Sequence, residues 1–545
     1  MHCEQCGLPF ESNSVLLARI SPTLTGKTYQ IPASSFCPSC RKQQRLAFRN
    51  ERSLYQRTCS KTGNSIISIY SPDKPYTVYA QPVWWSDEFE PRDYGRAFDF
   101  SRPFFEQYAE LDLAVPKLAV LNAKSENCDY TNYSCENKNC YLLVGGLGAE
   151  DCYYGYRIFY CRDVVDSYDL YRCELCYECS QSTELFDCRH CRNCHSSSNL
   201  LLCEDCVGCH NCLGCVNLRQ KNYCFFNEQV SAEAYKEHMA ELGANLQQAS
   251  QQFSAFRRTQ PYRAQYQINC EAAAGDFLLH CKRCNDAFVL KNSEDCSFAS
   301  HGENNRDCQD CNYFDNSELQ YFCTNLEKNY RAAFGALVWY TSDSYYVTSC
   351  FNSNHLFGCS GMKKHAFCVL NKEYPPAEYE HLVARIIEHM KHTGEWGRYF
   401  PAAVAPFSYN ESTAADYFPL SRDEALRRGY SWKETPRAAA EGEAYRVPSS
   451  INEVSDEIVK AALCCNSCGK NYRVVQQELR FYRKMDAAVP SRCPNCRHLA
   501  RMESTNPHQL WQRSCARCSN TVLSSYSPQR AAAVYCGSCY EKYAL

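Results

Sequence analysis

The sequence predicts a mainly β, multidomain protein: small zinc-ribbon or treble-clef modules at both ends of a two-block, cysteine-rich β-solenoid of short repeats with helical caps. Three observations predict it. C-x2-C knuckles are paired near each terminus, the two ends are duplicates of one another, and the segment between them repeats its cysteines at a short fixed period. The 545 residues are too many for one ordinary core at roughly 150 residues per domain. The 41 cysteines give a density that, in disulfide frameworks, belongs to short secreted domains. The opening MHCEQCGLPF has no basic stretch followed by an apolar one, and no apolar run of about 18 residues follows. The expected setting is therefore cytoplasmic and reducing, without a membrane, where clustered thiols point to metal before disulfides. Lys plus Arg (58) nearly balance Asp plus Glu (61), which excludes a strong whole-molecule field; any nucleic-acid contact must be local.

Residues 1–58 read as a treble-clef-like zinc module, with Cys3 and Cys6 in one knuckle and Cys37 and Cys40, in FCPSCRKQQRLAF, in the other. Two such knuckles supply four thiolates to a tetrahedral zinc, because each short turn brings two sulfurs to one side of the ion. A closed set of four leaves no position for a substrate, so the expected role is structural. Arg41, Arg45, Arg49 and Arg52 follow at spacings of 4, 4 and 3, along one face of an expected helix. That stripe is a candidate phosphate-contacting surface for nucleic acid, or an ordinary solvated helix face.

Residues 59–119 read as a degenerate zinc ribbon and connector. LYQRTCSKTGNSIISIYSPDKPYTVYA (54–80) aligns without gaps, at an offset of 456, with LWQRSCARCSNTVLSSYSPQRAAAVYC (510–536). In the carboxy-terminal copy Cys515, Cys518, Cys536 and Cys539 complete a ribbon tetrad. The matching amino-terminal positions are Cys59, Thr62, Ala80 and Val83, so that copy is expected to be metal-free and held by packing of Tyr70, Tyr79, Trp84 and Trp85.

Residues 120–230 and 264–374 read as two solenoid blocks, followed by helical segments at 231–263 and 375–395 suited to cap an open edge. The blocks align at an offset of 144: LGCVNLRQKNYCFFNEQVSAEAY (213–235) matches FGCSGMKKHAFCVLNKEYPPAEY (357–379). Within the first block Cys173, Cys188 and Cys203 are 15 residues apart, as are Cys176, Cys191 and Cys206, and Cys179, Cys194 and Cys209. A unit too short to fold alone implies stacked units, one rung per repeat. The nine thiols have three readings: small interior residues, further metal ligands from adjacent rungs, or inter-rung disulfides. In the second block Cys173 and Cys176 are matched by Ser317 and Gln320, so metal is not required by the repeat. Cys203, Cys206, Cys209, Cys212 and Cys215 run as C-x2-C-x2-C-x2-C-x2-C, without the x3-C-P ending of a bacterial ferredoxin motif, which disfavours an iron-sulfur cluster. His190, His195 and His210 lie in the same stretch and could replace a thiolate.

A connector over 396–463 leads to a second treble-clef-like module at 464–509, with Cys465, Cys468, Cys493 and Cys496, and a zinc ribbon at 510–545. Arg497 and Arg501 stand where the amino-terminal module has Arg41 and Arg45. About three structural zinc sites are therefore expected at the ends. No nucleotide-binding loop, metalloprotease motif, nucleophile elbow or dinucleotide fingerprint occurs, so nothing assembles into a nucleophile, base and orienter.

CNSCGKNYRVVQQELRFYRKMDAAVPSRCPNCRH (465–498), with SELQYFC, the 357–379 segment, YNESTAADYFPLSRDEALRRGYSW (409–432) and the terminal ribbon, resembles an uncharacterised cysteine-rich bacterial protein family with zinc-ribbon and treble-clef terminal domains. The resemblance implies no activity, and the lost ligands of the first ribbon depart from it. The function expected from the residues is a zinc-binding, non-enzymatic scaffold presenting an extended repeat surface to a protein or nucleic-acid partner. The alternative is a redox or metal-handling protein that uses the central cysteines.

Overall fold

The computed structural model describes residues 1–11, 15–243, 245–434, 445, 447–448 and 450–544. It is mainly β, with cysteine tetrads at both ends. No described helix is long and apolar enough to cross a membrane.

Two stacks of short parallel strands dominate, one between residues 122 and 229 and one between 267 and 373. Along both, residues lie opposite the residue twelve further on, except at the start of the second stack, where Gln267, Ile268 and Ala274 pair with residues eleven further on before the register shifts at Gly275. In the first stack one column reads Val164, Cys176, Cys188, Leu200, Cys212 and Cys224. In the second, Cys308, Gln320, Ala332 and Ser344 are aligned in the same way. The 15-residue unit expected from the cysteine spacing is thus not the pairing unit. Interior side chains recur every third residue, so the Cys-Cys-Cys-Ser-Leu motif that starts at Cys173 and again at Cys188 uses five interior positions, while one rung holds four. Each successive copy of the motif therefore starts one corner further around the stack. The 144-residue offset of the two blocks is a whole number of rungs, which keeps both copies in phase.

The three-residue beat has a backbone cause. Every third residue has a positive φ, as at Asp163 (+52°), Asp166 (+52°), Asp169 (+54°) and Arg172 (+52°). Asn, Asp and Gly tolerate this left-handed region best, and they are frequent at these corners. The residue after each corner points inward. Its N–H is regularly met by the interior side chain one rung below: Cys173 N–H donates to Cys161 Sγ (3.3 Å) and Leu185 N–H to Cys173 Sγ (3.4 Å). Ser does the same job, since Cys179 N–H donates to Ser167 Oγ (3.2 Å) and Cys194 N–H to Ser182 Oγ (3.0 Å). Each thiol also donates to a carbonyl two residues back, as Cys176 Sγ does to Glu174 O (3.4 Å). The substitutions in the second block keep the pattern: Ser317 Oγ donates to Asp315 O (2.9 Å) and accepts from Asn329 N–H (3.2 Å), and Gln320 Nε2 donates to Glu318 O (2.8 Å).

Helices Ala232–Gly243 and Leu246–Thr259 follow the first stack, and the former covers its strand Asn222–Phe225. Helix Pro376–His392 covers strand Ala366–Val369 of the second. The duplicated ends form matching hairpins, Tyr55–Thr58 with Ser65–Ser68 and Trp511–Ser514 with Thr521–Ser524. The first places Val78–Tyr79 beside Lys117–Leu118 at the entry to the first stack. The second places Val534–Tyr535 beside Tyr262–Arg263 at the entry to the other.

Replacing Cys173 by Ala leaves the buried N–H of Leu185 unpaired and is expected to lower unfolding stability by about 1–3 kcal/mol, whereas Cys173→Ser, which keeps a donor and acceptor, costs less. Urea unfolding of both variants checks the order; equal losses would show that the side-chain acceptor contributes nothing.

Candidate metal centres and their docking

Three sets of sulfurs come together: Cys3, Cys6, Cys37 and Cys40; Cys465, Cys468, Cys493 and Cys496; and Cys515, Cys518, Cys536 and Cys539, the sulfurs of each set lying within 4.8 Å of one another. Measured edges are 3.7 Å for Cys6–Cys37, 3.8 Å for Cys468–Cys493 and 3.8 Å for Cys518–Cys536. Metal–sulfur bonds of about 2.3 Å arranged as a tetrahedron give edges of about that length, whereas a disulfide would need about 2 Å. Each set fits one metal ion.

Local backbone prepares these sulfurs. In each module the second knuckle's first N–H reaches across to the first cysteine: Cys37 to Cys3 Sγ (3.3 Å), Cys493 to Cys465 Sγ (3.2 Å) and Cys536 to Cys515 Sγ (3.3 Å). Burial opposes thiolate formation, yet the N–H groups of Cys493 and Cys468 draw the Cys465 thiol down to about 6. Cys515 is drawn to about 6 against burial in the same way, by Cys536 and Cys518. Metal ligation needs the thiolate, so these N–H bonds favour loading. The degenerate hairpin keeps a remnant: Ala80 N–H still donates to Cys59 Sγ (3.3 Å). Packing surrounds it. Trp84 is fully buried, donates Nε1–H to Pro116 O (2.9 Å) and lies against Phe89 and Phe351, while Tyr70 stacks on Phe407 at 5.3 Å.

The central cysteines are placed otherwise. Among the described residues the three terminal sets are the only groups of three or more ligating atoms that lie within 4.8 Å of one another. Cys173, Cys176, Cys179, Cys188, Cys191, Cys194, Cys203, Cys206 and Cys209 are free thiols in the interior of the first stack. His190, His195 and His210 face outward, bonded to Glu178, Thr183 and Ser198, and replace no thiolate.

The arginine stripe is not a surface. Its helix, Pro38–Leu46, ends before Arg49 and Arg52, and Arg41, Arg45 and Arg49 are at most 4% exposed. Arg41 Nε donates to Asp310 at 2.8 Å; Arg45 donates to the same carboxylate at 3.2 Å and to Asn312 at 2.8 Å. Arg49 pairs with Glu51 and lies between the rings of Tyr133 and Tyr313, 3.9 and 3.8 Å from their centroids. Arg52 is half-buried, and desolvation together with Arg501 lowers its pKa to about 10. A phosphate would have to displace the carboxylates that already pair with Arg41, Arg45 and Arg49, so the expected exposed basic face is corrected to a buried docking face.

Docking is crossed. Arg497 and Arg501 donate to Asp166 in the first stack at 2.6 and 2.8 Å, and Lys484 pairs with Asp163 at 2.9 Å. Arg41 and Arg45 hold Asp310 in the second stack, and Arg19 grips Asp307 at 2.6 and 2.9 Å. Asp163 and Asp166 correspond to Asp307 and Asp310 at the 144-residue offset, and Arg41 and Arg45 to Arg497 and Arg501 at 456. The amino-terminal knuckle module therefore docks on the second stack and its hairpin on the first, while the carboxy-terminal pair does the reverse. Sequence reasoning overlooked these aspartates, although their signal was present: DVVD (163–166) and DCQD (307–310) repeat at the block offset.

No protein-family model matches the chain, and no curated protein matches its sequence.

Asp310→Ala leaves two buried guanidinium groups without their carboxylate, and Asp166→Ala removes the carboxylate shared by Arg497 and Arg501 at the other dock, where Arg497 keeps only the Glu478 carboxylate at 3.4 Å. Each is expected to destabilise the fold by about 3–5 kcal/mol, read from urea unfolding midpoints. Asp129→Ala, at an exposed position beside a corner of the first stack, should shift the midpoint by less than about 0.5 kcal/mol.

Proposed function

We propose that this protein is a zinc-binding, non-enzymatic scaffold: two β-solenoid blocks locked side by side by terminal treble-clef and ribbon modules, offering an extended repeat surface to a protein partner. The observation that carries the reading is the three closed sets of four sulfurs. All-thiolate tetrahedral sites suit zinc, and four protein ligands leave no open position for chemistry. Docking supports a structural role for the two knuckle modules. Arg41 follows Cys40 and Arg497 follows Cys496 directly, so a metal that orders each knuckle also aims the arginine that reaches the opposite stack. A protein partner is favoured over nucleic acid because Arg41, Arg45 and Arg49 are consumed inside the molecule. The rival metal-handling reading would need ligand groups among the central cysteines, whose thiols instead bond backbone groups.

Elemental analysis of protein purified under reducing conditions tests this. About three zinc ions per chain and no iron are expected from the three tetrads; about five or more, or iron, would overturn the structural reading in favour of metal handling. Cys518→Ser should lower the content by one ion, with the other two retained.

A further inference from the structure

The two stacks are copies, so each position in one has a control in the other. On one outer corner column the second stack carries Phe322 and Phe334, both essentially unexposed. Phe334 stacks on Tyr346, the next corner of the column, at 4.6 Å, and the segment that follows helix Pro376–His392 closes over the column, Tyr399 on Phe322 at 4.6 Å and Trp396 and Phe400 on Tyr346. The first stack has Glu178 and His190 at the same places, and Arg189 where the second has Ala333. The neighbouring module contributes Arg492 where its amino-terminal counterpart has Phe36. Four apolar positions have thus become polar around one point. There, among the described residues, the aromatic cover is replaced by a cavity of about 730 Å³ that these four side chains line. That volume lies within the range of small-molecule sites.

The polar groups are organised. His190 Nδ1 lies 2.9 Å from Glu178, an arrangement that places the ring proton on Nδ1 and leaves Nε2 as an acceptor. Nε2 is buried without a hydrogen-bond partner, a costly state that a bound donor would relieve. Arg189 is held in place by donating Nη1–H to Met485 O at 2.8 Å. Leu201, Ile451 and Val489 supply an apolar wall.

We propose that this cavity binds a small organic anion with an apolar body and one hydrogen-bond donor: the anionic head on Arg189 and Arg492, the donor on His190 Nε2, the body against the apolar wall. The site is independent of the metal reading.

Anilinonaphthalene sulfonate, which carries a sulfonate, an N–H and fused rings, is the probe, titrated into the full-length, metal-loaded protein and followed by fluorescence. One saturable site per chain is expected. Arg189→Ala should weaken it by about tenfold or more, as loss of a charged hydrogen bond does. The double change Glu178→Phe with His190→Phe installs the second stack's own residues and should abolish binding, with metal content and unfolding midpoint retained; should it fail to fold, Arg189→Ala decides alone. Salicylate and phenyl phosphate then compete: displacement by the first identifies a carboxylate ligand, by the second a phosphate ester. No saturable binding, binding undiminished by Arg189→Ala, or displacement by neither competitor overturns the proposal.

Discussion

The structure depends on how a buried backbone N–H is satisfied at every third residue. Left-handed corners turn the chain so often that the inward residue's own N–H falls out of the ladder between rungs, and in a dry interior such a group must find an acceptor. Where the inward side chain of the rung below is Cys, Ser or Asn, it supplies the acceptor. Cys, Ser and Asn are short enough to fit and polar enough to accept, as at Cys161, Ser167 and Asn329, whose Oδ1 takes the Thr341 N–H at 2.9 Å. Cys combines this with the apolar character of an interior residue. The abundance of thiols follows from that dual demand, without any need for the central cysteines to carry chemistry.

Stacks built this way need something to hold them together, and the crossed docks provide it. Asp166 and Asp310 sit on left-handed corners with no exposure, each facing two arginines from the module at the far end of the chain. A buried carboxylate between two guanidinium groups is costly to desolvate and stringent in geometry, so it specifies one arrangement of the parts more than it adds stability. The knuckle cysteines beside those arginines tie this arrangement to the order of the sulfur tetrads.

Duplication lets the molecule serve as its own comparison. Where the interior rule applies, copies differ only within it: Ser317 for Cys173, Gln320 for Cys176. Where packing stands in place of a sulfur tetrad, the first hairpin has one of the four cysteines but keeps the N–H to sulfur bond at Cys59. Where an aromatic cover is present in one copy only, the other has acquired Glu178, Arg189 and His190.

Much of this was legible in the residues. The three tetrads were, because each C-x2-C turn fixes its own two sulfurs locally and few other arrangements satisfy four such thiols. So was the mainly β character, and so were both duplications, since an offset is a property of sequence alone. The rung length was not. A three-residue beat is common to 12 and 15, and only the pairing of one strand with the next decides how many beats close a rung. The arginines were misplaced for a related reason. A helix face at regular spacing looks the same whether it meets water or a carboxylate, and Asp310 lies 269 residues from Arg41 while Asp166 lies 331 from Arg497. Local chemistry, coordination geometry and repetition were thus determined by the sequence by itself. Which charges are buried, which stack each module grips and where a cavity opens were decided only by tertiary structure, because those properties depend on groups that the chain brings together from hundreds of residues apart.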